Sequence, residues 1–288
     1  MNTVILTDSC CDLSYDYIMD NNIIVEPLVV ILEDGETVDD LGQTLKHKDF
    51  YSRIRNGELP KTAQVNAYVF EETFEKLVKE GKSIIYIGFS SGLSGTYNSA
   101  CIAKENVLEN HRDADITIID TKCVSMGLGL LVYYANEMLK NGKSKEEIIE
   151  WVEENKLKVQ HWFTVDDLNH LCRGGRISKT SATVGTLLNI KPILEVNGEG
   201  KLVSAAKVKG RKKSITALLE KVEHLIVNPE EQVVFISHGD CLEDAEHLKE
   251  RILEHVKVKD VIINFIGPAV GSHSGPETLA VFFMGNNR

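Results

Sequence analysis

A segment rich in glycine and serine, residues 88–95 with the sequence GFSSGLSG, holds the strongest candidates for chemistry in this chain. Its first five residues match G-x-S-x-G, the pattern of a nucleophile elbow when it joins a strand to a helix. Ser90 would be the nucleophile, His273 lies downstream, and Asp240 or Asp244 would orient that histidine, as in the chain order of α/β hydrolases. This pattern indicates a serine esterase or thioesterase. Against it, the loop continues through three more residues, and no HGG-type oxyanion loop precedes it.

The same segment supports a second interpretation in which no nucleophile is activated. We expect a helix to begin near Ser94, so that the Ser94 hydroxyl and the amides of Gly95 and Thr96 surround its N-terminus. Free N–H groups and the positive end of the helix dipole attract an anion, which would be a phosphate, a carboxylate or an acyl-transfer oxyanion. The plainer alternative is that Ser94 only caps its own helix.

The elements around this segment predict an α/β protein of two domains. Residues 84–87 form a continuous apolar run, typical of a parallel strand buried on both faces, and strands alternate with helices through the first half. We expect residues 23–32 to form one further strand there. After residue 158 the pattern changes to a hairpin signal at residues 197–200 and two amphipathic helices. The sequence predicts a three-layer parallel domain, residues 1–158, and a domain with a mixed or antiparallel sheet, residues 159–288.

Two further polar residues lie in segments framed by glycine and proline. His273 lies in GPAVGSHSGPET, which we expect to be a rigid loop, so it is either a ligand contact or a solvated histidine. Thr62 lies in PKTAQ, on an expected loop before a helix, where it is either a ligand contact or a turn or cap residue.

Basic side chains gather in two places in this acidic chain. Arg173 and Arg176 flank two glycines, as in a loop that approaches an anion, although solvated charges have the same pattern. The densest basic run contains Lys207, Lys209, Arg211, Lys212 and Lys213. Such a run is either a solvated face or a docking point for an acidic or phosphate-bearing partner.

The composition narrows the classes of protein to consider. With 43% hydrophobic and 26% charged residues the chain has an ordinary globular composition, and its net charge of −11 argues against nucleic acid as a partner. No apolar run approaches the ~20 residues of a membrane span, and the N-terminus lacks a signal-peptide pattern. The six cysteines form no C-x-x-C pair. We therefore expect a cytoplasmic protein without membrane insertion, metal, disulfide framework or cofactor.

Six motifs in chain order resemble the DegV family, and the similarity spans the whole chain. They are TDSCCDL at 7–13, PKTAQ at 60–64, GFSSGLSGTYNSA at 88–100, DT at 120–121, RGGRIS at 173–178 and the GPAVGSHSGP loop at 267–276. The sequence departs from the family pattern at PKTAQV, where PKTSQP is expected. The family includes the lipid-carrying subunits of bacterial fatty acid kinase.

The resemblance implies two α/β domains and one long-chain fatty acid, such as palmitate or oleate, held in a tunnel. Thr62 and Ser94 would bind its carboxylate at the domain interface, and His273 would approach from the second domain. Arg173 and Arg176 would lie near the opening through which an ATP-dependent kinase reaches the carboxylate to form acyl phosphate. It thus implies a non-catalytic lipid carrier in lipid metabolism, with a serine acyl hydrolase or a phosphate-ester binder as the alternatives.

Overall fold

The computed structural model describes residues 2–178 and 189–288. The strands in these ranges are β1 (Asn2–Asp8), β2 (Ile24–Glu26), β3 (Val29–Leu32), β4 (Gly35–Val38), β5 (Lys61–Ala63), β6 (Lys82–Gly88), β7 (Ile116–Asp120), β8 (Val159–Thr164), β9 (Ile190–Val196), β10 (Leu202–Lys209), β11 (Val233–His238), β12 (Asp260–Phe265) and β13 (Leu279–Met284). The helices are α1 (Tyr15–Asp20), α2 (His47–Arg55), α3 (Ala67–Lys79), α4 (Thr96–Asn110), α5 (Met126–Lys140), α6 (Lys145–Asn155), α7 (Leu168–Arg173), α8 (Arg211–Leu225), α9 (Leu242–His255) and α10 (Pro268–Ser274).

The N-terminal half contains a parallel sheet with the strand order β2-β1-β6-β7. Its central strand β6 is the apolar run at 84–87, and these four residues are fully buried, as expected for a strand covered on both faces. Helices α3 and α4 pack against each other and against β6 and β7 respectively. Because β6 ends at Gly88, the sheet delivers the glycine- and serine-rich loop directly to the N-terminus of α4.

The C-terminal half contains a six-stranded sheet with the order β10-β9-β8-β13-β11-β12. The pair β11–β12 is parallel, and the other pairs are antiparallel. The predicted α/β class, with a parallel sheet followed by a mixed sheet, is therefore confirmed. The domain division between residues 158 and 159 stays a prediction, although β8 begins the second sheet at Val159.

The mixed sheet has two different faces because side chains alternate along each strand. Trp162, Val281 and Ile236 are register partners on one face, where they pack with apolar residues of α8 and α9. Their neighbours Phe163, Ala280 and Ser237 are register partners on the opposite face, which looks toward the N-terminal half.

Helix α5 joins the two halves of the molecule. It contacts β1 and β6 of the parallel sheet and β8, β11 and β13 of the mixed sheet. Residues 126–132 are all buried, since a helix between two sheets has no solvent-facing side. The two sheets consequently share one hydrophobic core, and whatever space this core leaves unfilled lies between them.

Three predicted segments differ from the structure. The single strand expected at 23–32 is split into β2 and β3, which belong to different sheets, because Pro27 lacks the N–H that would continue the ladder. The expected loop around Thr62 contains β5, paired with β3. The expected loop around His273 contains α10. This helix begins at Pro268, and proline is tolerated at the first position of a helix because the N–H that it lacks would have no partner there.

No helix within residues 2–178 and 189–288 combines the length and the apolar composition needed to cross a membrane.

Candidate functional site

Thr62 and His273 meet across the two halves of the molecule. The Thr62 Oγ1 atom lies 2.7 Å from His273 Nε2, although the residues are 211 positions apart. β5 fixes Thr62 through its pairing with Val30, and α10 carries His273 in its last turn. The structure thus brings together two of the predicted carboxylate-binding residues from opposite ends of the chain.

The environment of His273 keeps its imidazole neutral. Burial and the nearby positive charge of Arg176 lower the pKa of His273 from its ordinary 6.5 to about 4. The Nδ1 atom is buried with no hydrogen-bond partner among the described residues, and it faces Gly174, where an added Cβ would lie 2.2 Å from it. Gly174 therefore covers Nδ1, and Nε2 is the ring nitrogen that meets Thr62.

His273 predicts a pH dependence of stability. The folded protein binds the imidazole proton only below about pH 4, whereas the unfolded chain binds it below about 6.5. The free energy of unfolding of the wild type should therefore fall, relative to His273→Gln, as the pH is lowered from 6.5 to 4. Urea unfolding of both proteins at several pH values measures this difference, and a constant difference across the window would contradict it.

Ser94, Gly95 and Thr96 form the start of α4. The Ser94 hydroxyl lies 3.0 Å from Thr96 Oγ1 and accepts a 3.3 Å hydrogen bond from the Thr96 amide. Ser94 and Gly95 line the cavity described below, whereas Thr96 is fully buried behind them. The N-cap residue of α4 is Gly95, and it makes no side-chain capping hydrogen bond, so Ser94 lies one residue before the cap and bonds the first amide of the helix. Ser94 is also one of the residues that line the cavity.

Gly95 leaves no room for a side chain. An added Cβ would lie 2.1 Å from Oε1 of Gln64, whose Nε2 donates a 2.8 Å hydrogen bond to Ser99. We expect Gly95→Ala to displace the end of the Gln64 side chain, which also lines the cavity, and to weaken the binding of a ligand at this end of the cavity by about tenfold, the effect of about one lost hydrogen bond. Titration with palmitate measures this loss, and Gly198→Ala, outside the cavity lining, serves as the control. Unchanged affinity in Gly95→Ala would contradict the prediction.

The two predicted arginines have different surroundings. Arg176 is half-buried and lines the cavity, its Nε donates a 3.2 Å hydrogen bond to the Leu93 carbonyl, and its Nη1 donates to the Gly174 carbonyl. Arg173 is exposed, and its Nη2 lies 3.0 Å from His170 Nδ1. It lines an adjoining cavity of about 370 Å³ that shares Thr62, Arg176 and His273 with the main one.

A cavity of about 450 Å³ lies between the two sheets, and this volume is within the range of about 300–1,000 Å³ typical of small-molecule sites. Its polar lining residues include the Thr62–His273 pair, Ser94 and Arg176, together with further serine, threonine and glutamine side chains. Most of the remaining wall is apolar, and its apolar residues include Leu28, Phe89, Leu93, Val124, Phe163, Leu171, Leu202, Ile266, Ala269, Val270, Ala280 and Phe282. Among the described lining residues, Arg176 alone carries a formal charge. The lining therefore suits an amphipathic anion with a long apolar part.

Arg211 lies apart from these residues and does not line the cavity. Its guanidinium donates to Asp244, to the Glu277 carbonyl and to Cys241 Sγ, at 2.7, 2.7 and 3.2 Å. In the described part of the chain, Cys241, Asp244 and Glu277 also have ligand atoms within 4.8 Å of one another. The guanidinium already neutralises this group, so we assign it a structural role. The rest of the predicted basic run is exposed.

The structure does not assemble the residues of the hydrolase interpretation. Ser90 is fully buried, and its hydroxyl donates a 2.8 Å hydrogen bond to the Gly200 carbonyl. His273 contacts Thr62, Asp240 pairs with Arg55, and Asp244 pairs with Arg211. A nucleophile elbow needs an exposed serine hydroxyl next to a histidine, and neither condition is met at Ser90.

Sequence reasoning missed two groups at the cavity. Gln64 lies in the PKTAQ motif that drew attention to Thr62, so the motif contained a signal for it. Ser125 and Ser237 also line the cavity, and Ser125 donates to the buried carboxylate of Asp12. No local pattern marks these serines, because β11 and the N-terminus of α5 meet only in the folded protein.

Comparisons with known proteins agree with this fold. Residues 2–286 match the model of the family described as "Uncharacterised protein, DegV family". The DegV domain-containing protein CPE0026 of Clostridium perfringens is 53% identical over 285 residues, which cover 99% of this chain and 98% of that protein.

Solved structures of two Thermotoga maritima proteins are also similar. One is described as a DegV lipid-binding protein. It has a TM-score of 0.88 and is 31% identical, and the match covers 100% of both chains. The other, TM841, is described as revealing a fatty acid binding function. It has a TM-score of 0.85 and 31% identity, with coverage of 99% of this chain and 100% of that one. Together with the match to the family model over nearly its whole length, these similarities show that the chain belongs to the DegV family.

Proposed function

We propose that this protein binds one long-chain fatty acid, such as palmitate or oleate, in the cavity between its two α/β domains, residues 1–158 and 159–288. In this proposal the carboxylate is held by Thr62, Ser94, Gly95, Thr96 and His273. The observation that carries the proposal is a largely apolar cavity whose lining includes the Thr62–His273 pair, Ser94 and the positively charged Arg176.

The head-group contacts support a carboxylate as the ligand's polar end. The Thr62 hydroxyl, the neutral His273 imidazole and the Ser94 hydroxyl supply neutral hydrogen-bonding groups. Arg176 supplies a positive charge, and the lining residues described in the structure include no aspartate or glutamate to compete for it. Hydrogen bonds between charged and neutral groups each contribute about 1.5–3 kcal/mol, which is enough to orient the head group.

The apolar wall supports a long acyl chain as the rest of the ligand. Each buried methylene contributes about 0.8 kcal/mol, so fourteen methylenes supply about 11 kcal/mol before the costs of ordering the ligand. Affinity in this proposal comes from the apolar cavity, and the polar residues determine which end of the ligand lies near the opening. The relative TM841, which is described as binding a fatty acid, has the same fold.

Native mass spectrometry of the purified protein tests the binding. We expect a mass increase that matches one fatty acid, and we expect the delipidated protein to take up one equivalent of palmitate or oleate. Thr62→Val, which removes the hydroxyl and keeps the side-chain shape, should weaken palmitate binding. Thr216→Val, at an exposed position of α8, should not. A protein that carries no lipid and ignores both added acids would overturn the proposal.

The hydrolase alternative makes a different prediction in the same samples. Turnover of acyl esters or thioesters that is abolished by Ser90→Ala, but not by Ser94→Ala, would show that the protein is a serine acyl hydrolase and not a carrier. We expect neither turnover nor a covalent acyl adduct, because the Ser90 hydroxyl is held by the Gly200 carbonyl.

We further propose that the protein presents the carboxylate, in the cytoplasm, to an ATP-dependent fatty acid kinase subunit that forms acyl phosphate. The adjoining cavity of about 370 Å³ supports this, because it reaches Thr62 and His273 from a side that also carries Lys61 and Arg173. Two exposed positive charges next to the carboxylate suit an anionic phosphoryl donor or an acidic partner surface.

Acyl phosphate formation tests this partnership. Palmitate-loaded protein, ATP and the kinase subunit should yield a product that hydroxylamine traps as an acyl hydroxamate. Arg173→Ala should reduce the yield without changing the dissociation constant for palmitate, and Lys212→Ala, in the distant basic run, should change neither. If the loaded wild type gives no acyl hydroxamate, the kinase partnership fails and the binding proposal stands.

A further inference from the structure

Helix α10 packs on the small antiparallel sheet that carries Thr62. This sheet has the strand order β4-β3-β5, with Thr62 in the edge strand β5. α10 contacts β3 and β5, and its last turn places His273 against Thr62. Ala269, four positions before His273, lies on the same face of the helix, and both residues line the main cavity. The position of the imidazole therefore depends on how α10 is seated on this sheet.

The other edge strand of the same sheet leads to the opposite end of α10. Asp39 directly follows β4, and its amide donates a 2.8 Å hydrogen bond to the carbonyl of Leu28, the residue before β3. Asp39 is 1% exposed, and its Oδ2 accepts a 2.8 Å hydrogen bond from the Ala269 amide in the first turn of α10. A carboxyl oxygen accepts from an N–H group whether the carboxyl is ionised or neutral, so this contact does not require one protonation state.

A second carboxyl group contacts the same end of the helix. Asp12 Oδ1 accepts a 2.9 Å hydrogen bond from the amide of Gly267, immediately before α10. The two carboxyl groups converge on Gly267, where an added Cβ would lie 2.9 Å from Asp12 Oδ1 and 2.9 Å from Asp39 Oδ2. Gly267 has a φ of −66°, which other residues also adopt, so close contact and not backbone conformation restricts this position. The start of α10 is thus fitted closely against two buried carboxyl groups.

α10 is too short to hold its position without these contacts. It has seven residues, and an isolated helix of this length is not stable in water. Its N-cap residue, Gly267, has no side chain to accept from the first amides, so Asp12 and Asp39 supply the capping acceptors from other parts of the chain. If they are lost, we expect the first turn to fray, and His273, one turn further on, then loses its fixed place against Thr62.

We propose that Asp39 is a positioning residue for the carboxylate end of the site, where it acts through the Ala269 amide and α10 to hold the His273 imidazole against Thr62. Asp12 acts on the same end of the helix through Gly267. The inference rests on the proposed fatty acid binding and adds two residues that determine how the carboxylate is held. Neither carboxyl group lines the cavity, so both influence a ligand that they do not touch.

A double-mutant cycle with palmitate tests the coupling between Asp39 and His273. We expect Asp39→Ala and His273→Gln each to weaken palmitate binding to the delipidated protein by about tenfold, the effect of about one hydrogen bond. The double variant should stay within about threefold of either single variant, because both substitutions remove the same contact. Gly267→Ala, which displaces α10 from the helix side of the contact, should behave like Asp39→Ala. Losses that multiply to about 100-fold in the double variant would overturn the inference.

The imidazole itself provides a second measurement, which needs no ligand. Burial and the positive charge of Arg176 lower the pKa of His273 to about 4 in the wild type. Release of α10 would expose the imidazole, so in Asp39→Ala and in Gly267→Ala the pKa of His273 should rise towards its ordinary value of 6.5. NMR titration from about pH 8 to about pH 5 measures this shift, and His273→Gln identifies the signal. If His273 does not titrate in this range in either variant, the inference is wrong.

Asp115→Ala is the matched control, because Asp115 also accepts hydrogen bonds that support the fold, from Lys145 and Ser83, but contacts neither the cavity nor α10. It should lower the melting temperature, while palmitate affinity and the pKa of His273 stay as in the wild type. If Asp115→Ala changes both as Asp39→Ala does, the effects reflect general stability and the inference fails.

The outcomes separate this inference from the proposed function. If Asp39→Ala does not fold, Gly267→Ala carries both measurements from the helix side. If the wild type binds palmitate and the effects of Asp39 and His273 are independent, the inference is wrong and the proposed function stands. If the wild type binds no palmitate, the proposed function itself fails, and the NMR titration still decides whether Asp39 positions His273.

Discussion

Palmitate should bind this protein about three orders of magnitude more tightly than decanoate. The two acids have the same carboxylate and differ by six methylenes, each of which contributes about 0.8 kcal/mol when buried. The sum is about 5 kcal/mol if the whole difference is buried against the apolar wall. Isothermal titration of delipidated protein with decanoate, laurate, myristate and palmitate measures the increment per methylene.

The shape of this series separates the carrier from a simple anion site. If the carboxylate contacts dominated, affinity would be nearly independent of chain length, and that outcome would contradict the assignment of the cavity to an acyl chain. Inorganic phosphate serves as the control ligand. Thermal stabilisation by phosphate without any effect of palmitate would favour the phosphate-ester interpretation.

Arg176→Gln should weaken palmitate binding by about 10- to 150-fold, which corresponds to the 1.5–3 kcal/mol of a hydrogen bond to a charged group. The reason is that Arg176 provides the only formal charge among the described lining residues, and two backbone carbonyls hold its guanidinium in place. Burial also lowers the pKa of Arg176 from its ordinary value, so a bound anion would offset an unfavourable environment. Titration at low ionic strength measures the change.

Two controls isolate the charge. Arg173→Gln, three positions earlier, alters an exposed arginine that does not line the main cavity, and palmitate affinity should stay within about twofold of the wild type. Hexadecanol, which has the chain without the carboxylate, should bind wild type and Arg176→Gln equally. Equal losses for the alcohol and the acid in Arg176→Gln would show that the substitution acts through packing and not through charge.

The correctly predicted parts of the fold are those governed by local pattern. The apolar run of β6 is a buried parallel strand, the glycine- and serine-rich segment leads into α4, and the hairpin at residues 197–200 joins β9 and β10. The predictions that were wrong concern segments whose structure depends on distant partners. β5 exists because β3 lies beside it, and α10 is capped by the Asp12 and Asp39 carboxylates, which accept from the Gly267 and Ala269 amides.

The site shows the same division between local and distant effects. Separate sequence motifs identified Thr62, Ser94 and His273. For each of them a role without a ligand, as a turn, cap or solvated residue, was equally compatible with the motif. Their contact with one another, the difference between Arg173 and Arg176, and the distant pairing of Arg211 could not be read from spacing, because each depends on side chains far away in sequence. Whether the site residues act as proposed stays a prediction that the titrations test.

By itself the sequence determined the α/β class, the membership of a family and the loop that meets α4, because strand and helix periods and turn residues are local properties. Only the tertiary structure decided that a cavity exists and which groups face it. A cavity is the space that two packed sheets and α5 leave unfilled, so it depends on the volumes and directions of side chains that come together only on folding.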